Sequence, residues 1–105
     1  MKRSNWIQLL AASCLMVAVS ANANEAIAQK AGCLGCHAVD TRVVGKAYRD
    51  VAVKYRRNPF ASMILRYKIR NGTGKNKPIP MPPHDKKKIG DSELTAVIDW
   101  ILSLR

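Results

Sequence analysis

The sequence predicts an all-α domain, and three observations carry that prediction. Apolar residues recur at helical intervals, as in Phe60, Met63, Ile64 and Tyr67 and again in Leu94, Val97, Ile98 and Ile101. No stretch alternates apolar and polar residues over a strand's length, and no internal repeat is visible. Glycines, prolines and an Asn-Gly pair fall where helices would stop.

The elements follow in chain order. Lys2 and Arg3 precede an apolar run from Trp6 to Val19 that only Gln8 and Ser13 interrupt. Ala21-Asn22-Ala23 then completes the three parts of a secretory signal, with cleavage expected before Asn24. The run is shorter than the roughly 20 residues a membrane-spanning helix needs. Cys14 could mark a lipoprotein site, but Ala11 is a poor residue three before it and apolar sequence continues beyond. The chain therefore divides into a signal segment, 1–23, and one small domain, 24–105. No integral membrane span is expected after cleavage, and periplasmic location follows from export.

That domain keeps 16 basic and 7 acidic residues and two cysteines, Cys33 and Cys36. Chains of this size are marginal on a hydrophobic core alone and usually need a staple or cofactor. Glu25 to Ala31 reads as a short helix that Gly32 ends, and 38–46 reads as a loop. Tyr48 to Tyr55 forms a second helix, with Val51 and Tyr55 on one face. Pro59 suits the first turn of a third, which carries the Phe60–Met63–Ile64–Tyr67 stripe inward and stops at Asn71-Gly72. A fourth runs from Asp91 or Ser92, either a good N-cap, towards Ser103, with Leu102 completing its stripe and Trp100 beside it. Between the last two lies 72–90, too long for an ordinary connection and stiffened by Pro78, Pro80, Pro82 and Pro83.

The stretch "CLGCH", Cys33 to His37, carries the chemistry. A disulfide across so short a loop removes little chain entropy and would be a poor staple. A thioredoxin-like pair wants a βαβ context that is missing here. Zinc needs four ligands, and only Cys33, Cys36, His37 and His84 are on offer, with adjacent Cys36 and His37 strained to share one tetrahedral ion. Covalent haem c suits the pattern: two thiols add to the vinyl groups, and the adjacent His37 is delivered to one face of the iron. Met81, on its proline-flanked strap, is the natural ligand for the other face, whereas Met63 reads as core packing.

With both motifs in hand, "GCLGCHAVDTRVVGKAYRDVAVKY", "IRNG", "PIPMPP" and "DWILSL" resemble the short bacterial class I cytochromes c of the cytochrome c-551 type. The resemblance implies about four helices around one covalently attached haem, thioethers from Cys33 and Cys36, and His37 and Met81 as axial ligands. It also implies that the first and fourth helices cross near Trp100. Lys46 stands where the family has a proline whose carbonyl accepts the proximal histidine's hydrogen bond, so the Lys46 carbonyl inherits that role. The family tryptophan that reaches a haem propionate is absent, leaving Lys68, Lys75 or Lys77 to substitute. The usual aromatic of the first helix is replaced by Ala28 or Ile27, which thins its contact with the fourth. His84 takes the place of a family Asn and is expected to be a solvated loop side chain. A sharper alternative is that it replaces Met81 on the iron at alkaline pH.

From 51 to 84 there are eight basic residues and no acidic one, and Lys86, Lys87 and Lys88 extend the field. Such a field steers encounter with acidic surfaces and is screened by salt. The expected function is a soluble, monomeric electron carrier, not an enzyme, exchanging single electrons with redox proteins that dock through acidic surfaces. Nucleic acid is not an expected partner, and anionic lipid is a secondary one. The alternatives are a haem sensor or small peroxidase with a labile Met81, and a membrane-tethered domain of an oxidoreductase complex.

Overall fold

The computed structural model describes residues 24–104, so the signal segment lies outside the described residues. Residues 24–30 are helical (α1), a single 3-10 turn spans Cys33–Gly35, and three helices follow: α2 Tyr48–Tyr55, α3 Ala61–Asn71 and α4 Asp91–Ser103. Among the described residues the sole strand-like feature is an isolated antiparallel bridge between Thr73 and Met81.

Helix α4 is the spine, with α2 and α3 packed against it. Its expected stripe is buried at Leu94, Val97, Ile98 and Ile101, while Leu102 and Trp100 are half-buried beside them. Ala28 of α1 is fully buried in the same cluster, and a residue so small lets the two backbones approach. Neither Asp91 nor Ser92 caps α4: Gly90 holds the N-cap position, and its carbonyl accepts the Leu94 N–H at 2.9 Å. Asp91 and Glu93 instead place negative charge in the first turn, where the helix dipole favours it. On α2 the buried face is Tyr48, Ala52 and Tyr55, with Val51 half-buried at its edge.

Helix α3 departs from expectation. Phe60, Met63 and Tyr67 are 60%, 63% and 70% exposed, so most of the predicted stripe faces outward and Met63 is not core. Ala61 and Leu65 are buried instead. The cause lies on the helix's flanks. Arg66 donates to the Thr95 hydroxyl and Arg70 to the Asp91 carboxylate, fastening one side to α4. Lys68 donates to the Tyr55 hydroxyl at 2.9 Å, fastening the other to α2. The face between these ties is that of Ala61 and Leu65.

Candidate haem site

The site begins at the turn after α1. Gly32 has φ +84°, a conformation side chains rarely adopt, and it starts the turn that presents Cys33 and Cys36. His37 is drawn close by its N–H to Cys33 carbonyl bond of 3.0 Å. Both cysteines are unpaired thiols, and no group of three or more His, Cys, Asp or Glu among the described residues could hold a metal ion.

His37 is oriented on three sides. Its Nδ1 lies 2.8 Å from the Lys46 carbonyl oxygen. A carbonyl only accepts, so Nδ1 carries the proton and Nε2 keeps a free lone pair suited to a metal. A lysine in place of the family proline thus leaves the bond intact. Tyr48 stacks on the imidazole, with ring centroids 5.0 Å apart and planes at 17°, and meets Trp100 edge-on at 5.7 Å. Gly45 closes the third side: a Cβ there would sit 2.3 to 2.8 Å from three atoms of the His37 ring. Gly45 is held in turn by its N–H to the Cys36 carbonyl at 2.7 Å. Burial, ahead of the neighbouring Cys33, pushes the Tyr48 phenol above its ordinary pKa.

Met81 belongs to the strap 72–90, which its hydrogen bonds fold back onto the end of α3. The Thr73 and Met81 N–H groups donate to each other's carbonyls at 3.1 and 3.0 Å. Gly72 makes that pairing possible: its φ is +79°, and a Cβ would lie 2.5 Å from the Met81 carbonyl oxygen. The His84 N–H donates to the Ile69 carbonyl at 3.0 Å, and Arg70 reaches the His84 and Ile89 carbonyls at 3.2 and 2.7 Å. These bonds, with the prolines, fix Met81's backbone. They also correct the expectation for His84, which is buried at 8% exposure, with Nδ1 meeting no partner among the described residues.

The lysines do not act alike. The charge of Lys54, then slight desolvation, then the charges of Lys68 and Lys77 hold the Lys46 ammonium below its ordinary pKa. The Tyr55 phenol is lowered, chiefly by its bond from Lys68. Four cations therefore converge beside the loop that orients His37, and from 51 to 84 the chain supplies no carboxylate to neutralise them. Of the three lysines the sequence singled out for an anionic group, Lys68 and Lys77 fall in this cluster and Lys75 shows no tie to it. Sequence reasoning missed Lys54, Gly45 and Tyr48. Gly45 read only as a loop glycine, and nothing marked which ring Tyr48 would meet.

These features fit a haem. Two unpaired thiols precede a histidine with a free Nε2, a glycine cradles the imidazole, and the lysine ammonium groups acting on Lys46 have no carboxylate from 51 to 84 to neutralise them. The comparisons agree. The family model for cytochrome c matches residues 21–105. Cytochrome c-552 of Nitrosomonas europaea is 40% identical over 104 residues, covering 98% of this chain and 99% of that protein. Cytochrome c-551 of Allochromatium vinosum is 40% identical over 96 residues, covering 90% of this chain and all of its own. The crystal structure of the Nitrosomonas europaea protein superposes with a TM-score of 0.68 over 77% of this chain and 99% of that one. The chain therefore belongs to the cytochrome c family, as an all-α monohaem class I cytochrome c with one covalently bound haem c that serves electron transfer.

Proposed function

We propose that the protein is a periplasmic one-electron carrier in which Cys33 and Cys36 tether the haem and His37 and Met81 hold the two faces of its iron. The haem supplies reversible one-electron oxidation and reduction of that iron. The observation that carries the reading is the 2.8 Å bond from His37 Nδ1 to the Lys46 carbonyl, because it aims an unprotonated Nε2 at a metal and fixes the ring in one orientation. Tyr48 and Gly45 hold the ring against rotation from its two sides. Met81, pinned through its backbone to Thr73, offers a thioether, and Met/His ligation raises the reduction potential. A site closed on both faces leaves no position for substrate, which supports a carrier over an enzyme.

Lys46, Lys54, Lys68 and Lys77 neutralise the propionates, and their surplus charge faces acidic redox partners. Export is supported by the composition of 1–23. It is supported again by the relatives: the crystal chain of the Nitrosomonas europaea protein is almost wholly matched by 77% of this chain, though the full-length relative aligns along 98% of it. No helix among the described residues is long and apolar enough to cross a membrane.

A potentiometric titration followed through the haem spectrum tests the reading. One reversible one-electron transition is expected, with a ferrous spectrum that carbon monoxide leaves unchanged at neutral pH. Carbon monoxide binding would show that Met81 releases the iron and would favour the sensor or peroxidase reading.

A further inference from the structure

The outward face of α3 is the feature that electron carriage does not explain. Phe60, Met63 and Tyr67 are exposed by 60%, 63% and 70%. At 3.6 residues per turn they share an arc of roughly 60°, run about 10 Å along the axis, and lie nearly opposite Leu65. Arg56 and Arg57 are exposed on the turn leading into the helix, and Arg66 and Lys68 lie on its two flanks. No carboxylate occurs anywhere from 51 to 84.

We infer that this ridge seats the protein on an anionic phospholipid surface, with Phe60, Met63 and Tyr67 entering the headgroup boundary and the exposed Arg56 and Arg57 contacting phosphates. Two further observations favour lipid over a folded partner. The ridge side chains protrude: all three are 60% or more exposed, and none of them lines the concavity between Tyr55, Ala61 and Leu102. A protein interface draws its energy from anchors seated in well-packed sockets, whereas a fluid interface closes around protruding side chains. The composition also suits the boundary, since the phenol of Tyr67 keeps a polar tip for the wet side and Met63 adapts its shape. Neither the aromatic ridge nor the cations alone would give lasting attachment, and the two together give a reversible one. Docking by α3 would confine the carrier to two dimensions beside membrane-bound partners. The proposal goes beyond the carrier role and rests on proposed export only for its setting.

The test is co-sedimentation of the haem-loaded protein, freed of residues 1–23, with vesicles of phosphatidylglycerol and phosphatidylcholine or of phosphatidylcholine alone. Bound protein is read from haem absorbance, so the result is independent of electron transfer. The expected result is binding to the anionic vesicles only, weakened by salt, with partitioning lowered about tenfold or more in Phe60→Ser/Tyr67→Ser. Both sites are exposed, and an unchanged haem spectrum and melting temperature confirm that the variant is folded. Absence of binding to the anionic vesicles would overturn the proposal. So would equal binding by the variant, which would leave charge alone responsible. A variant that lost self-association or slowed exchange with an acidic redox protein, while vesicle binding stayed unchanged, would give the ridge to a second copy or to that protein instead.

Discussion

Replacing Gly45 with alanine places a methyl carbon 2.3 Å from His37 Cε1, 2.6 Å from Nδ1 and 2.8 Å from Nε2. Ordinary contact begins near 3.4 Å, so the imidazole must retreat by about 1 Å. It has little room to do so. Tyr48 stacks on it, with centroids 5.0 Å apart, and its Nδ1 is already engaged at 2.8 Å. A retreat of that size breaks the bond to the Lys46 carbonyl or tilts the ring off Tyr48. Gly45 is not among the positive-φ glycines, so alanine meets no backbone penalty there and the effect isolates the contact. Overpacking of this kind costs about 1–3 kcal/mol. Each kcal/mol lowers the melting temperature of a domain this size by about 4–8 °C.

Two assays read the outcome. Thermal unfolding of the haem-loaded Gly45→Ala protein is expected to fall by at least about 4 °C. The midpoint potential is expected to shift as well, because the Lys46 carbonyl no longer tunes the basicity of the ligand. Gly72→Ala is the contrasting case. There φ is +79° and the Met81 carbonyl lies 2.5 Å away, so backbone and contact penalties combine, and the damage falls on the methionine side. An unchanged melting temperature and spectrum in Gly45→Ala would refute the claim that this glycine positions His37.

Three other outcomes are expected. Electron-transfer rates with an acidic redox protein should fall steeply as ionic strength rises, because the converging lysines act through a screened field; a flat profile would remove the steering argument. Arg70→Met should destabilise by about 2 kcal/mol in denaturant titration, since one guanidinium serves the His84 and Ile89 carbonyls and the Asp91 carboxylate. Arg70, ahead of Lys86, holds the Asp91 carboxyl below its ordinary range, so that contribution is full above the unfolded-state value of about 3.9 and fades as pH falls through the native one. The wild type's margin over Arg70→Met should therefore narrow at acid pH by the Asp91 part, the bonds to the two carbonyls remaining, and a constant margin would refute the pairing. His84 is buried with its backbone tied to α3, so loss of the methionine–iron charge-transfer band at alkaline pH should be the same in His84→Ala. A transition moved by more than about one pH unit would show instead that His84 takes Met81's place.

What could be read from the sequence was whatever periodicity and spacing encode. Helix α2 has the bounds expected of it, and α4 buries the stripe expected of it. Periodicity could not choose between two stripes on α3. The larger side chains of Phe60, Met63 and Tyr67 read as core, but Ala61 and Leu65 won because Arg66, Lys68 and Arg70 turn that face inward through long-range bonds. Spacing singled out the thiols, His37 and Met81, and the Lys46 carbonyl beside His37 could be anticipated because any residue supplies one. The cradle of Gly45, the stacking of Tyr48 and the burial of His84 depend on how distant segments meet, which no local pattern records.

The central claim is that His37 and Met81 together close the iron, and proton magnetic resonance of the reduced protein tests it most directly. A methionine bound at the haem axis lies in the ring current of the macrocycle. One methyl resonance should therefore appear far upfield of ordinary aliphatic signals, and it should vanish in Met81→Ala. Its absence from the reduced wild-type protein, or its survival in Met81→Ala, would contradict the account.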